Sequence, residues 1–374
     1  MKIETRAVHA GRRPDPATSA VTPPIHMSTT FERGADGEYP LGFGYSREEN
    51  PNRVMLEQCL ASVEGGTEAL VFSSGQAVST ALIQGLEPGD HVLAPNDVYY
   101  CWKKIFAEIF PKWDFAVDYV DMTDPAAVRA ALHPNTRLIW IETPSNPLLK
   151  ITPLAAIAEV ARKANAITVC DSTFGTPVLQ HPLDLGIDMV VHSTTKYIGG
   201  HSDVVGGVLI TRHQNYLFER ARKSQRFGGL VPSPFDCWLT LRGVSTLPWR
   251  VRGHCENAMR IARFLAQHPG VEAVHYPGLE SHPGHQTACQ QMEAFGGMMS
   301  FQVKGCKDTA MGVAARVRIF TRATSLGGPH SFIEHRASIE GPKTKTPPNL
   351  LRMSIGLENA GDLIDDLDQA LKSP

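Results

Sequence analysis

Four short stretches of this 374-residue chain carry side chains suited to chemistry: Ser73-Ser74-Gly75-Gln76, Thr143-Pro144-Ser145-Asn146-Pro147, Asp171-Ser172-Thr173 and Ser193-Thr194-Thr195-Lys196. Each follows a short apolar run. Gly75 and Gln76 open a helical pattern, where free N–H groups attract an anion and a glycine lets it approach the backbone. The same composition also fits an ordinary strand-to-helix turn. Ser193 and Thr195 flank one position before Lys196, and Gly199-Gly200-His201 and Gly206-Gly207 follow. Two hydroxyls there suit a phosphate. The Lys196 amine suits Schiff-base formation, provided burial or neighbouring cations lower its pKa. Asp171 closes its strand and is either a turn cap or the partner of a cation deep in a cleft. A protonated pyridine nitrogen is such a cation.

The elements that position these stretches are short, β-branched runs at 69–72, 91–94, 115–120, 137–141, 166–170, 189–192 and 207–210. Most are separated by helical patterns. The clearest spans 153–165, with Leu154, Ile157, Val160, Ala161 and Ala164 on one face, Pro153 at its first position and Thr152 as N-cap. Strands alternating with helices predict a largely parallel sheet covered on both faces, with ligands outside the carboxyl ends of its strands. The first 45 residues hold five prolines and no sustained apolar period, so they predict an extended arm. The last third predicts a smaller α+β unit. A helix spans 256–267, and strands run at 271–276 and 298–303. In a strand near the end Leu351, Met353 and Ile355 alternate with Arg352 and Ser354. A final helix carries Leu363, Ile364, Leu367, Ala370 and Leu371.

Composition excludes several function classes. Thirty-six basic against 38 acidic residues give a net charge of -2, without the basic footprint that nucleic acid or an anionic membrane requires. No apolar run approaches the ~18 residues of a membrane span, and the first residues lack the apolar core of a secretory signal. Seven scattered cysteines, an odd number without a C-x-x-C pair, fit a reduced, cytoplasmic setting. His282 and His285 are half of a metal site with no second half at ligand spacing, so no metal is expected. The five tryptophans read as packing residues.

A phosphate cradle, a Schiff-base lysine and a pyridinium carboxylate are the parts of a pyridoxal 5′-phosphate site. The segment from Asp171-Ser-Thr-Phe-Gly-Thr-Pro through His192-Ser-Thr-Thr-Lys196-Tyr-Ile-Gly-Gly-His resembles the signature of the Cys/Met-metabolism family of pyridoxal-phosphate enzymes. That family includes cystathionine γ-synthase, the cystathionine γ- and β-lyases, methionine γ-lyase and O-acylhomoserine sulfhydrylase. Tyr45-Ser-Arg47-x-x-Asn50-Pro51, Glu142-Thr-Pro-Ser-Asn-Pro147, Ser325-Leu-Gly-Gly328 and Leu351-Arg-Met-Ser-Ile-Gly-Leu357 also match, so the resemblance covers nearly the whole chain.

The resemblance implies a fold-type I, aspartate-aminotransferase-like α/β architecture. It has an arm (1–45), a large pyridoxal-phosphate-binding domain with a mostly parallel seven-stranded sheet (46–232) and a smaller α+β C-terminal domain (233–374). It implies that Lys196 holds the cofactor and shuttles protons, that Asp171 partners the pyridine nitrogen, and that Gly75, Gln76, Ser193 and Thr195 bind the phosphate. Tyr45 and Arg47 would reach the phosphate of a neighbouring subunit, which makes the active unit a homodimer with shared sites, paired into a tetramer. Tyr99 would stack on the ring and serve as a general acid. Asn146 would lie beside the phenol oxygen, and Arg352 and Ser325 at the substrate carboxylate.

The implied activity is γ-elimination or γ-replacement, or β-elimination, on cystathionine or an O-acylhomoserine. Its alternatives are a lyase for another γ-substituted amino acid or an O-acylhomoserine sulfhydrylase. Retention of Lys196, Asp171, Tyr99 and Arg352 argues against a catalytically silent homologue. The departures fall elsewhere. Tyr100-Cys101-Trp102 stands where many members have Gly-Gly-Thr or Gly-Cys-Thr. His330 replaces a glutamate, and Glu334-His335-Arg336-Ala337-Ser338-Ile339-Glu340 follows where many have Pro-Ala-x-Met-Thr-His. Gly44 stands where some cystathionine-handling members have glutamate. These changes are expected to line the pocket for the distal end of the substrate.

Overall fold

The two apolar patterns of the chain produce two sheets. In a computed structural model describing residues 1–341 and 344–372, the larger sheet contains β1 (Glu68–Phe72), β2 (His91–Pro95), β3 (Ala116–Val120), β4 (Thr136–Glu142), β5 (Ile167–Asp171), β6 (Met189–His192) and β7 (Gly207–Thr211). Its order is β1-β7-β6-β5-β4-β2-β3. The seven expected strands all form, with no end shifted by more than one residue. The pairs β6/β5, β5/β4, β4/β2 and β2/β3 are parallel, while β7 runs antiparallel to both β1 and β6. Two antiparallel steps in succession leave β1 parallel to the rest. The carboxyl ends of β1, β2, β4, β5 and β6 therefore open on one edge, and they carry the four stretches of interest.

Except in the edge strand β3, the strand interiors are buried on both faces. Leu70, Phe72, Val169 and Val191 pack under helices Gly75–Gln84 and Tyr216–Gly228, while Val71, Val190, Val208 and Ile210 pack on the opposite side. Full burial on both faces is why these strands read as continuous apolar runs rather than alternating ones.

The smaller sheet contains β8 (Val271–His275), β9 (Met298–Val303), β10 (Thr321–Arg322), β11 (Phe332–His335) and β12 (Leu350–Ser354), in the order β10-β11-β12-β9-β8. The alternation in β12 is as expected: Leu351, Met353 and Ile355 enter a core with Leu363, Leu367 and Ala370 of the last helix. Among the described residues no helix is long and apolar enough to cross a membrane.

Three local expectations are corrected. The arm is not wholly extended, because Ile3–His9 forms a helix whose Ala7 is buried against Leu56 and Leu60. Most of the arm beyond it is exposed, including Val21, Met27 and Leu41. Thr152 does not cap the next helix, which begins at Leu154; the Gln291 side chain accepts from Leu154 N–H instead, at 3.2 Å. The helix expected at 256–267 starts nine residues earlier, as Leu247–Gln267.

Its extra turns lack a simple apolar stripe because their polar groups bind backbone. Buried Arg250 donates to the carbonyls of Tyr197 (2.7 Å) and Gly243 (2.7 Å). Further along, His254 Nδ1 lies 2.8 Å from the Ile355 carbonyl, and Asn257 donates to Gly356 and Glu358. This helix thus grips the loop after Lys196 from its first turn and the segment after β12 from its middle. Replacing Arg250 with Met would leave buried carbonyls unpaired. Chemical denaturation of Arg250→Met is expected to show a loss of about 2–5 kcal/mol, with the overall secondary structure retained.

Candidate active site

The strand ends enclose a cleft of ≈ 240 Å³ bounded by the second sheet, whose lining includes Gly75, Gln76, Tyr99, Asn146, Asp171, Ser193, Thr195, Lys196, Ser325 and Arg352. These are all the sequence-derived site residues except Tyr45 and Arg47. Those two stand in the arm region, Tyr45 exposed and Arg47 bonded to the Arg226 carbonyl, and they do not line the cleft of their own chain.

The floor is formed where β1 and β6 end. Ser74 caps helix Gly75–Gln84 by accepting from Ala77 N–H at 3.1 Å. The N–H groups of Gly75 and Gln76 have no partner among the described residues, as expected for a first helical turn. Ser193 faces Gly75 from the adjoining strand end. Thr195 Oγ1 accepts from Gly206 N–H at 3.0 Å, which ties the Lys196 loop to the start of β7. Gly207 is required beside it, since a Cβ there would lie 2.4 Å from the Ser74 carbonyl.

Lys196 Nζ projects into the cleft and donates to Ser325 Oγ at 2.8 Å. Ser325 has φ 102°, a strained conformation for serine. Gly327 (φ +80°) lies so close to the Lys196–Tyr197 backbone that a Cβ would meet Tyr197 N at 2.5 Å. Burial, followed by the charge of Arg352, pulls the Lys196 ammonium down to about 8.

Asp171 and Glu142 are paired across β5 and β4. Burial raises the Asp171 carboxyl despite the Thr173 N–H it accepts at 3.0 Å. Burial, then the Asp171 charge, raises Glu142 well above the carboxylate range. Glu142 Oε2 accepts the Tyr99 N–H at 2.9 Å and so fixes the tyrosine at the mouth of the cleft. Burial and the neighbouring Cys101 thiol push the Tyr99 phenol up, so it stays protonated at neutral pH. Glu142 was legible as part of a motif but not as a site residue; its place at a strand end in register with Asp171 was the available signal.

The substrate side of the cleft comes from the second sheet. Arg352, on the polar face of β12, donates through Nη1 to Asn146 Oδ1 at 3.1 Å. Its Nη2 lies 2.6 Å from Glu334 Oε1, and Glu334 faces it in register on β11. The same carboxylate oxygen lies 3.0 Å from Arg336 Nη1. Burial lowers Arg352 to about 10, so it remains a cation at neutral pH.

Sequence reasoning placed Glu334 and Arg336 only within a stretch expected at the distal pocket; Arg336 does line the cleft, and the pairing of β11 with β12 adds the contact of Glu334 with Arg352. Trp102 and Trp140 are buried as expected, but they also line the cleft beside Tyr100. His330, expected in the distal pocket, is exposed and does not line it, because Ser331 and not His330 turns inward to Glu358. His282 and His285 hydrogen-bond the backbone at Gly284 and Pro277.

With this geometry in view, residues 4–372 match the family described as Cys/Met metabolism PLP-dependent enzyme. A cystathionine gamma-synthase of Mycobacterium leprae is 49% identical over 375 residues, covering 99% of this chain and 96% of the relative. A cystathionine beta-lyase of Coxiella burnetii is 43% identical, covering 99% and 97%. The crystal structure of a cystathionine gamma synthase from Xanthomonas oryzae pv. oryzae, in complex with aminoacrylate and cysteine, superposes with a TM-score of 0.95 at 42% identity, covering 99% and 98%.

The residues fit pyridoxal phosphate. Free N–H groups and hydroxyls suit its phosphate, and the Asp171 carboxylate, with no cationic side chain bonded to it among the described residues, suits its ring nitrogen. Lys196 is a buried amine whose neutral form is accessible near neutrality. Only the neutral amine can attack the cofactor's aldehyde. The rate constant for reconstituting the cofactor-free protein is therefore expected to rise about tenfold per pH unit below 8 and to level off above it. Stopped-flow absorbance checks this; an unshifted lysine would keep rising towards pH 10.

Proposed function

The chain belongs to the pyridoxal-phosphate-dependent enzymes of cysteine and methionine metabolism, and we propose that it performs γ-replacement on an O-acylhomoserine, joining Cγ to a thiol sulfur to give cystathionine. The observation that carries this reading is the placement of the Lys196 amine, the Arg352 guanidinium and the Tyr99 phenol around one cleft. The gamma-synthase descriptions of the relatives support it.

When bound, the cofactor supplies a carbonyl that links to an amine and a ring that takes up electron pairs. The residues do the rest. Arg352 holds the α-carboxylate in a charge-assisted pair, with Asn146 and Glu334 fixing the guanidinium from other sides. Lys196, once neutral, takes the Cα proton and returns protons along the substrate chain. Asp171 holds the ring nitrogen in its charged form. Tyr99, a phenol protonated at neutral pH and held more firmly so by burial, is the acid for the departing acyl oxygen. The Cγ–O bond breaks and the acyloxy group leaves as the carboxylic acid; the thiol sulfur bonds Cγ in its place, and the thiol proton makes good the one given to the leaving group. Purified holoenzyme is expected to form cystathionine from O-acylhomoserine and cysteine, with little 2-oxo acid or ammonia. Release of 2-oxo acid and ammonia regardless of cysteine, together with cleavage of added cystathionine, would replace this reading with that of a lyase.

We also assign residues 1–45 to an arm, 46–232 to the cofactor domain and 233–374 to the C-terminal domain, with Tyr45 and Arg47 completing the phosphate site of a second copy. Their exposure, their exclusion from the cleft of their own chain and the exposed apolar residues of the arm support this. Mixing inactive Arg47→Ala with inactive Lys196→Ala under subunit exchange is expected to restore up to about a quarter of wild-type activity, because one site of the mixed dimer carries both native residues. Exchange without recovery refutes the shared site.

A further inference from the structure

Arg336 stands where many members of the family have proline, and the cleft holds its guanidinium in an unusual position. It is 1% exposed, yet it lines the cleft together with Tyr99, Tyr100 and Arg352. Nε is 2.9 Å from Glu340 Oε1 and Nη1 is 3.0 Å from Glu334 Oε1. Nη2 has no hydrogen-bond partner among the described residues and is not sealed from the cavity. Cζ lies 5.6 Å from the centroid of the Tyr100 ring, one of the bulky replacements on the distal wall. Burial disfavours the charge, but Glu334 and Glu340 outweigh it and hold Arg336 cationic. Thr344 and Thr346 in turn donate to Glu340 Oε2.

The two guanidiniums divide the work by position. Arg352 faces the Lys196 side, where Asn146 and Glu334 fix it. Arg336 bonds the shared Glu334 and lies beside the Tyr100 ring. A donor pair on a fixed, cationic fork with one nitrogen open to a cavity matches a carboxylate. Glu340 is partly open to solvent, so its charge is screened more than that of the buried fork.

We propose that Arg336 is a specificity-determining residue that binds a second carboxylate, carried on the γ-substituent of the amino-acid substrate. This rests on the reading of Arg352 as the α-carboxylate clamp. It selects substrates whose γ-substituent ends in an acid, such as a dicarboxylic acyl ester or a thioether bearing an amino acid, over acetyl esters and methyl thioethers.

The test uses two unreactive probes of equal chain length, 2-aminosuberate and 2-aminooctanoate, which differ in the distal carboxylate. Neither has a γ-leaving group, so the outcome does not depend on elimination or replacement chemistry. Binding is read from the change in absorbance of the cofactor in the holoenzyme. Wild type is expected to bind the diacid about 10- to 100-fold tighter, the range for a charge-assisted hydrogen bond. Arg336→Met should abolish the preference while leaving 2-aminooctanoate binding within a few-fold. Arg336→Lys, which keeps the charge without the fork, should retain part of it and serves if the methionine variant does not fold. Equal weakening of both probes would overturn the proposal and make Arg336 a support for Glu334 alone. No preference in wild type would overturn it too. Binding of neither probe, with normal cofactor loading, would remove the Arg352 clamp and this inference together.

Discussion

Lys196 must be kept from water, and most of the cleft follows from that. An ammonium in solvent would stay charged until well above pH 10 and could neither attack a carbonyl nor take a carbon-bound proton. Here desolvation is the largest influence on it and the Arg352 cation the next. Both need the second sheet closed over the first, because Arg352 and the Ser325 loop come from that sheet. Ser325 offers the amine a neutral hydroxyl, which orients it without stabilising its charge as a carboxylate would. The nearest acid on the substrate side, Glu334, is held to two guanidiniums and so raises the lysine less than a free carboxylate could.

The acids on the opposite wall obey the same logic with the sign reversed. Asp171 and Glu142 are buried side by side, and without a cation between the strand ends both are pushed towards their neutral forms. A cationic ring nitrogen relieves that cost for Asp171. Glu142 keeps a different task, holding the Tyr99 backbone through one N–H. Two adjacent carboxyls thereby have separate tasks: Asp171 is the one proposed to meet the cofactor, and Glu142 sets the tyrosine.

The fold and the cofactor half of the cleft were legible because they are local. β-Branched runs end in hydroxyl, glycine, aspartate and lysine residues, and parallel pairing gathers consecutive strand ends without further information. The alternation of Leu351, Arg352 and Met353 likewise pointed Arg352 away from the core. What escaped was non-local. Antiparallel β7 has no signature of its own, since a strand buried on both faces reads alike in either direction. Glu334 gained its contact with Arg352 only when β11 paired with β12. The first turns of helix Leu247–Gln267 hid because Arg250 satisfies carbonyls of a distant loop, so a polar residue stands where an apolar stripe would be sought.

That helix also acts as a strut. Arg250 binds the loop that follows the lysine, and Asn257 binds the segment that follows the arginine strand, seven positions along. At about 1.5 Å of rise per residue, the two attachment points are separated by a rigid rod of roughly 10 Å. The rod thus ties the backbone next to Lys196 to the backbone that follows the strand of Arg352. On the function proposed above, an incoming amino acid would meet the same spacing at its amino and carboxyl ends. Variation among substrates is left to the one wall the strut does not reach, where Tyr100 and Arg336 stand.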